Sequence, residues 1–491
     1  MNPLRQLASQ TAIYGLSSIV GRLLNYLLVP LHTRVFNPGE FGVITEMYSY
    51  VAFLLIVLTY GFETAFFRFA RNEEDSERVY STASLSLLLT SLVFVGLCLV
   101  FSNPLANAID YPLHPEYIVW FALILATDAI TAIPFARLRL ENKAFRFALV
   151  RLLNIGINIG LNLYWLWLCP YLIKTGQMPV WLSSTYDPAI GVGYVFLANL
   201  FAGLATVLVL LPGMIRHWGR PDYTLWNKMM SYSLPLLVGG LAGITNEMFS
   251  RVSLKYQLPA EVAMEELGIF GACYKVAILM TIFIQTFRFA AEPFFFSRAK
   301  DKNAPELYAT VMHWFIIACS AIYLVVILGM QWVQFFVGEE FREGLSVVPI
   351  LLMANLFLGV FYNLSIWFKL NDKTGLGAWM AIGGALLTIF LNALLIPRYG
   401  YVGASWVTFA VYASMMAVSY VLGQKHYPIP YNLARCIGYP LLAVGLVYFF
   451  ERFSTYFPDA NPVIALFCLM AFLAIVWMAE LRKKSLISSQ T

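Results

Sequence analysis

Apolar residues in this 491-residue chain come in long runs separated by short polar breaks. The runs fall near 11–34, 41–62, 79–101, 117–136, 147–169, 189–213 and 231–253, then near 269–291, 309–330, 346–368, 376–397, 402–423, 433–450 and 462–480. Each has the length that a bilayer's hydrocarbon core demands of a helix. Lipid offers a peptide group no hydrogen-bond partner, so a run of this kind satisfies its own backbone by coiling. The expected fold class is therefore an all-α polytopic membrane protein with about fourteen transmembrane helices. Composition agrees: 60% of residues are hydrophobic and 12% charged, about half the charge of a soluble domain. The first run is too long for a cleaved signal, carries Arg22 at its centre and lacks a small-residue cleavage pattern, so it reads as a retained helix.

The chain also reads as one sequence written twice. Phe41-Gly42 recurs as Phe270-Gly271, Glu63 with Phe66-Phe67 as Glu292 with Phe295-Phe296, and Glu77 as Glu306, all at a shift of 229. At a shift of 230, the stretch from Leu138 to Lys143 lies over Phe368 to Lys373, and Asn162 over Asn392. Similar boundary aromatics and small residues in every span are the competing explanation. A duplication with an even number of spans per copy gives two lobes of like orientation, a transporter's plan in which substrate binds between repeats. The lobes expected are 1–215 and 216–430, each of six helices, with 431–491 adding two C-terminal helices and a tail.

Lysine and arginine set the orientation. With the N-terminus inside, inner segments carry 23 of them and outer segments 7, which satisfies the positive-inside rule and places both termini in the cytoplasm. The net charge of +5 is spread over short loops, so nucleic acid is not an expected partner. No Walker A loop, His-Glu-x-x-His, Cys-x-x-Cys or Gly-x-Ser-x-Gly occurs, and the five histidines lie on different segments. Neither an enzyme nor a metal or organic cofactor is expected.

Chemistry concentrates in polar residues inside the runs. Gly15, Ser18, Arg22, Asn25 and His32 share one face of the first helix. An unpaired mid-membrane arginine costs at least about 2.5 kcal/mol, so Arg22 either meets an anion in a wet cavity or pairs with a carboxylate such as Asp128. On the fifth helix Arg151, Asn154, Asn158 and Asn162 share a face, with Gly156 and Gly160 expected to pack a neighbour on the other. The asparagines either line a cavity or bond neighbouring helices. Nearer the outer side lie Glu46, Glu247, Arg251 and Lys275. Glu46 and Lys275 occupy one repeat position and suit a gate that pairs them across the outer mouth only when it closes; the competing reading is that these charges are structural, with Glu247 and Arg251 at i and i+4 simply pairing with each other. The last two spans hold no charge in their interiors and are expected to face lipid.

Gly21-Arg22, the turn Asn37-Pro38-Gly39-Glu40-Phe41-Gly42, Val347 to Leu351, and above all Asn392 to Ala404 resemble the polysaccharide-transport family. That family contains bacterial O-antigen and capsule-unit flippases, within a superfamily that includes multidrug exporters. The resemblance covers spans one to twelve. It implies a MATE-like arrangement of two six-helix lobes and a lipid-linked oligosaccharide moved from the inner to the outer leaflet of the bacterial inner membrane. It also implies a bilayer setting and other polysaccharide-assembly membrane proteins as partners. The substrate's diphosphate suits Arg22, with Asn25 and His32 on the same face and Arg251 and Lys275 as outer partners. Its sugars suit Asn154, Asn158 and Asn162, and Na⁺ or H⁺ coupling would fall to Asp128, Glu46 or Glu247. Where family members carry an acid just before the span-seven arginine, this chain has Ser250 before Arg251. A lipid II flippase and a cation-exporting multidrug transporter are the rival readings, and a membrane glycosyltransferase or polymerase a more distant one.

The topology makes the first prediction. Cysteine labelling should find residues 72, 142, 220, 302, 372 and both termini inside, and 110, 180, 260, 340 and 456 outside; an outside C-terminus would exclude fourteen spans.

Overall fold

A computed structural model describes residues 20–481 apart from 22, 71, 72 and 372. Among these residues there is no strand, and eleven helices are long and apolar enough to cross a membrane. One of the eleven, Thr374–His426, runs for 53 residues and folds back at Gly400, whose φ of 52° and ψ of −134° break the helical path. Two of the expected spans meet there, at a position whose backbone favours glycine. The expected seventh run lies inside the longer helix Tyr223–Gln257, and the first lies mostly outside the described residues. Fourteen spans are compatible with this arrangement.

The chain divides into two compact units, 1–271 and 272–491. In the first, α1 (Val29–Val35) leads into α2 (Pro38–Thr59), which opens on a capping box: the Asn37 side chain accepts from the Glu40 amide and the Glu40 carboxylate from the Asn37 amide. It ends where Tyr60 and Gly61 take left-handed φ values of 35° and 76°, and α3 (Phe62–Phe69) carries the chain on. The unit continues with α4 (Glu73–Val100), α5 (Pro115–Leu140), α6 (Ala144–Leu163), α7 (Gly193–Arg216) and α8 (Tyr223–Gln257). α5 packs on α4 and α7, and α7 on α6. α8 lies along α2 and belongs to the first unit.

The helix α9 (Ala260–Val276) meets α2 at glycines. A Cβ on Gly42 would collide with the carbonyl of Met264, one on Gly268 with the carbonyl of Pro38, and one on Gly271 with the Thr45 side chain. Here the helix backbones touch. Gly156 and Gly160, expected to serve this purpose on α6, have nothing within 4 Å of a Cβ among the described residues.

In the second unit α10 (Ile278–Arg298), α11 (Ala304–Leu328) and α12 (Val348–Leu364) precede the folded α13 (Thr374–His426), on which α12 packs. The closing pair is α14 (Leu433–Tyr456) and α15 (Asn461–Val476). Their interiors are uncharged, yet the charges at their ends converge: Glu480 accepts from Arg435 at 2.8 Å and Tyr439 at 2.6 Å, with His313 of α11 at 3.1 Å. The pair is thereby fastened to the unit rather than adrift in lipid.

The repeat appears as duplicated chemistry. Arg139 pairs with Glu63 at 2.5 Å in the first unit, and Lys369 with Glu292 at 2.6 Å in the second. These are the same two sequence positions, each joining its copy's second and fourth spans. Asn162 and Asn392 are likewise both fully buried.

The glycine contact predicts that Gly268→Ala destabilises the protein by about 1–3 kcal/mol, because backbone must shift to admit a methyl group. Gly96→Ala, with nothing within 4 Å, should be neutral or gain up to ~1 kcal/mol in helix propensity. Melting curves in detergent on the two variants compare them directly.

Candidate functional site

The two polar faces expected on the first and fifth helices meet. The His32 ring places Nε2 2.8 Å from the Asn162 side-chain oxygen. The Asn162 amide nitrogen donates to the Asn158 carbonyl at 2.8 Å and its side-chain oxygen at 3.1 Å. Asn158 donates in turn to the Asn25 side chain at 3.2 Å. Because Asn162 uses its oxygen as acceptor, Nε2 of His32 carries the proton in this arrangement. The row runs from buried His32 and Asn162 to exposed Asn25, with Asn158 half-buried between them. A buried amide pays for its place only when bonded, so His32 fixes one end and leaves donors and acceptors presented at the other. Asn392, at the repeat position of Asn162, has no hydrogen-bond partner for either amide atom among the described residues.

Asn154 does not join this row. It donates to Thr206 of α7 at 3.0 Å, and Thr206 bonds the Ala202 carbonyl, so Asn154 tethers α6 to α7. Arg151, one turn before it, lays its guanidinium over Phe135 with 4.1 Å to the ring centroid and acts electrostatically on Asp128. Asp128 is accessible yet enclosed by protein, and its carboxylate forms no hydrogen bond or ion pair among the described residues. Nearby Tyr48 receives a hydrogen bond from Asn199 at 2.9 Å. The suggested partner of Asp128, Arg22, lies outside the described residues.

Glu46 has a different surrounding from the one its sequence position suggests. Its side chain is fully buried, and Lys255 reaches it at 2.7 Å, Tyr50 at 2.6 Å and Tyr111 at 2.5 Å. Lys255 also donates to the Ile109 carbonyl at 2.5 Å, and Tyr256 bonds Tyr50 at 2.7 Å. Within the first unit the partner of Glu46 is thus Lys255; Lys275 is an exposed residue of the second unit. The cause is the length of α8, which runs four residues past the apolar run and swings Lys255 inward instead of leaving it in a loop. Burial, and then the Glu46 charge, push the Tyr111 phenol far above its usual range, so it stays a donor. The cluster sits beside the glycine contact of α2 and α9.

Arg251 is buried and reaches Glu247 through the main-chain carbonyl at 2.8 Å, not through the carboxylate, with Met248 sulfur and the Phe270 ring beside it. Glu247 itself is exposed. Sequence reasoning missed Lys255, Tyr50, Tyr111 and Tyr256. The usable signal was helical spacing, since Lys255 lies one turn beyond Arg251 on the same helix.

The chain matches the family model described as polysaccharide biosynthesis protein over residues 7–299. No curated protein matches it. Among solved structures it is similar to the lipid II flippase MurJ in an inward closed conformation, with TM-score 0.67 and 11% identity over 95% of this chain and 99% of that one. It is also similar to an inward-facing multidrug resistance MATE family transporter of the MOP superfamily, with TM-score 0.65 and 14% identity over 84% of this chain and 94% of that one. A MATE structure in the straight conformation gives 0.59 and 13% over 87% and 96%. The shared fold is that of MATE transporters and MurJ, and the chain, a multi-pass membrane protein, belongs to the polysaccharide biosynthesis protein family.

Proposed function

We propose that this protein is a flippase that carries a polyprenyl-diphosphate-linked oligosaccharide from the cytoplasmic to the outer leaflet of a bacterial inner membrane by alternating access. The observation that carries the reading is the amide row Asn25, Asn158, Asn162 with His32, set on membrane helices of a polysaccharide-biosynthesis family member. Sugar hydroxyls need donors and acceptors at a wall that lipid cannot supply. Arg22, three residues before Asn25 in the sequence, is the group assigned to the diphosphate, whose oxygens its planar fork can grip in pairs. The prenyl tail stays in lipid. Both termini are cytoplasmic in this scheme, and other polysaccharide-assembly membrane proteins supply and receive the substrate.

The acids divide by their surroundings. Asp128, accessible and without a hydrogen-bonded partner among the described residues, is the candidate for Na⁺ or H⁺ coupling. Glu46, filled by Lys255 and two phenols, has no room for an ion and acts as a latch that holds α2 to α8. Asp128 also favours one second reading, a cation exporter of the same superfamily, since a reachable carboxylate in a span attracts cations.

Flipping assays in proteoliposomes with a polyprenyl-diphosphate oligosaccharide test the proposal. Arg22→Ala should abolish translocation without loss of melting temperature, and Arg22→Lys should keep part of it, because an ammonium retains charge without the fork. If Arg22 instead pairs with Asp128, the alanine variant should melt lower and Asp128→Asn should restore it. A stable, fully active Arg22→Ala sinks both assignments, and efflux of a cationic dye that depends on Asp128 with no sugar-lipid flipping would establish the exporter.

The latch gives a separate expectation. Lys255→Met should cost ~3–5 kcal/mol by stranding a buried carboxylate, and Glu46→Gln with Lys255→Met should regain most of it; melting curves of the single and double variants measure both.

A further inference from the structure

The end of α5, the start of α6, the end of α7 and the start of α4 bring together Arg137, Lys143, Arg146 and His217, with Glu141 and Glu77 as the acids among them. Arg137 is largely covered, its side chain 12% exposed. Its Nε donates to Glu141 at 2.5 Å, its Nη2 lies 2.9 Å from His217 Nδ1, and its guanidinium stacks over Tyr80 with 4.7 Å to the centroid. Its Nη1 is buried and has no hydrogen-bond partner among the described residues. The cavity these residues line, together with Pro134, Leu210 and Met214, is small, about 30 Å³, with room for a water-sized group. At its rim Arg146 is exposed and forms no ion pair or hydrogen bond among the described residues, where Lys143 reaches Glu141 at 2.7 Å.

Glu141 does not cancel this charge. Burial opposes its ionisation, but the bonds from Lys143 and Arg137 hold it below the usual carboxylate range. It is therefore a fixed anion shared by Arg137 and Lys143, which leaves Arg146 without an acid partner among the described residues. The end of the unit concerned is the one rich in lysine and arginine, the inner face by the positive-inside rule.

We infer that this cluster is a binding site for a phosphate group at the inner membrane surface, one oxygen entering the cavity toward Arg137 Nη1 and the others meeting Arg146 and Lys143 at the rim. Basic pockets between helix ends on the inner side are where anionic headgroups seat, and guanidinium to phosphate is the strong form of the contact. The site is remote in sequence from Arg22 and does not depend on what the protein transports. Two sources offer the same chemistry, an anionic phospholipid of the inner leaflet and a soluble phosphate or diphosphate.

Native mass spectrometry of the full chain in detergent, titrated with phosphatidylglycerol or phosphatidylcholine, reads the lipid source. Melting with and without millimolar inorganic pyrophosphate reads the soluble one. Phosphatidylglycerol should bind more tightly than phosphatidylcholine, and Arg146→Glu should weaken it at least tenfold while Arg220→Glu, a charge reversal outside the cluster, leaves it unchanged. Stabilisation by pyrophosphate that Arg146→Glu removes would support the site and assign a soluble ligand. Arg137→Gln should act like Arg146→Glu; should it fail to fold, the rim variant decides alone. The inference is overturned if Arg146→Glu binds as the unaltered protein does, if Arg220→Glu loses as much, or if neither phosphate source is bound.

Discussion

Hydrocarbon cannot hydrogen-bond, and the structure follows from that limit. It makes every span a helix, and it decides where polar side chains can stand. An amide on a lipid-facing stripe would cost several kcal/mol, so the stripes of the first and fifth helices turn toward each other and the His32 to Asn25 row results. The same limit explains the density of partners around Glu46: a carboxylate with no exposure is held by an ammonium and two phenols, because anything less would leave it unsatisfied. Asp128 meets the same limit differently, by remaining reachable.

How much of this could be read from the sequence depends on the range of the interaction. Spans were legible because apolar length is a local property, and so was the duplication, whose repeated positions turn out to hold the Glu63–Arg139 and Glu292–Lys369 pairs. The amide row was half legible: spacing put Asn158 and Asn162 on one face, but only packing could show that Asn154 leaves them for Thr206. The partner of Glu46 was not legible. Repeat symmetry pointed to Lys275, whereas a helix that extends past its apolar run brings up Lys255, and the length of a polar helical extension leaves no hydropathy signal.

The two copies have also diverged in what they satisfy. Asn162 is bonded to His32 and Asn158, whereas Asn392, equally buried, lacks a partner among the described residues. The position that carries the end of a polar row in one unit is a buried, unsatisfied amide in the other. Similar helices have thus been given unequal chemistry, with Glu46 and Lys275 at one repeat position as a further case.

The meeting of α2 and α9 has its own consequence. Its two helices carry the same Phe-Gly pair, Phe41-Gly42 and Phe270-Gly271, and each glycine faces the other helix. Because the fit is made by backbone, changes in the side chains that select a substrate leave it intact, and specificity can drift while the joint persists.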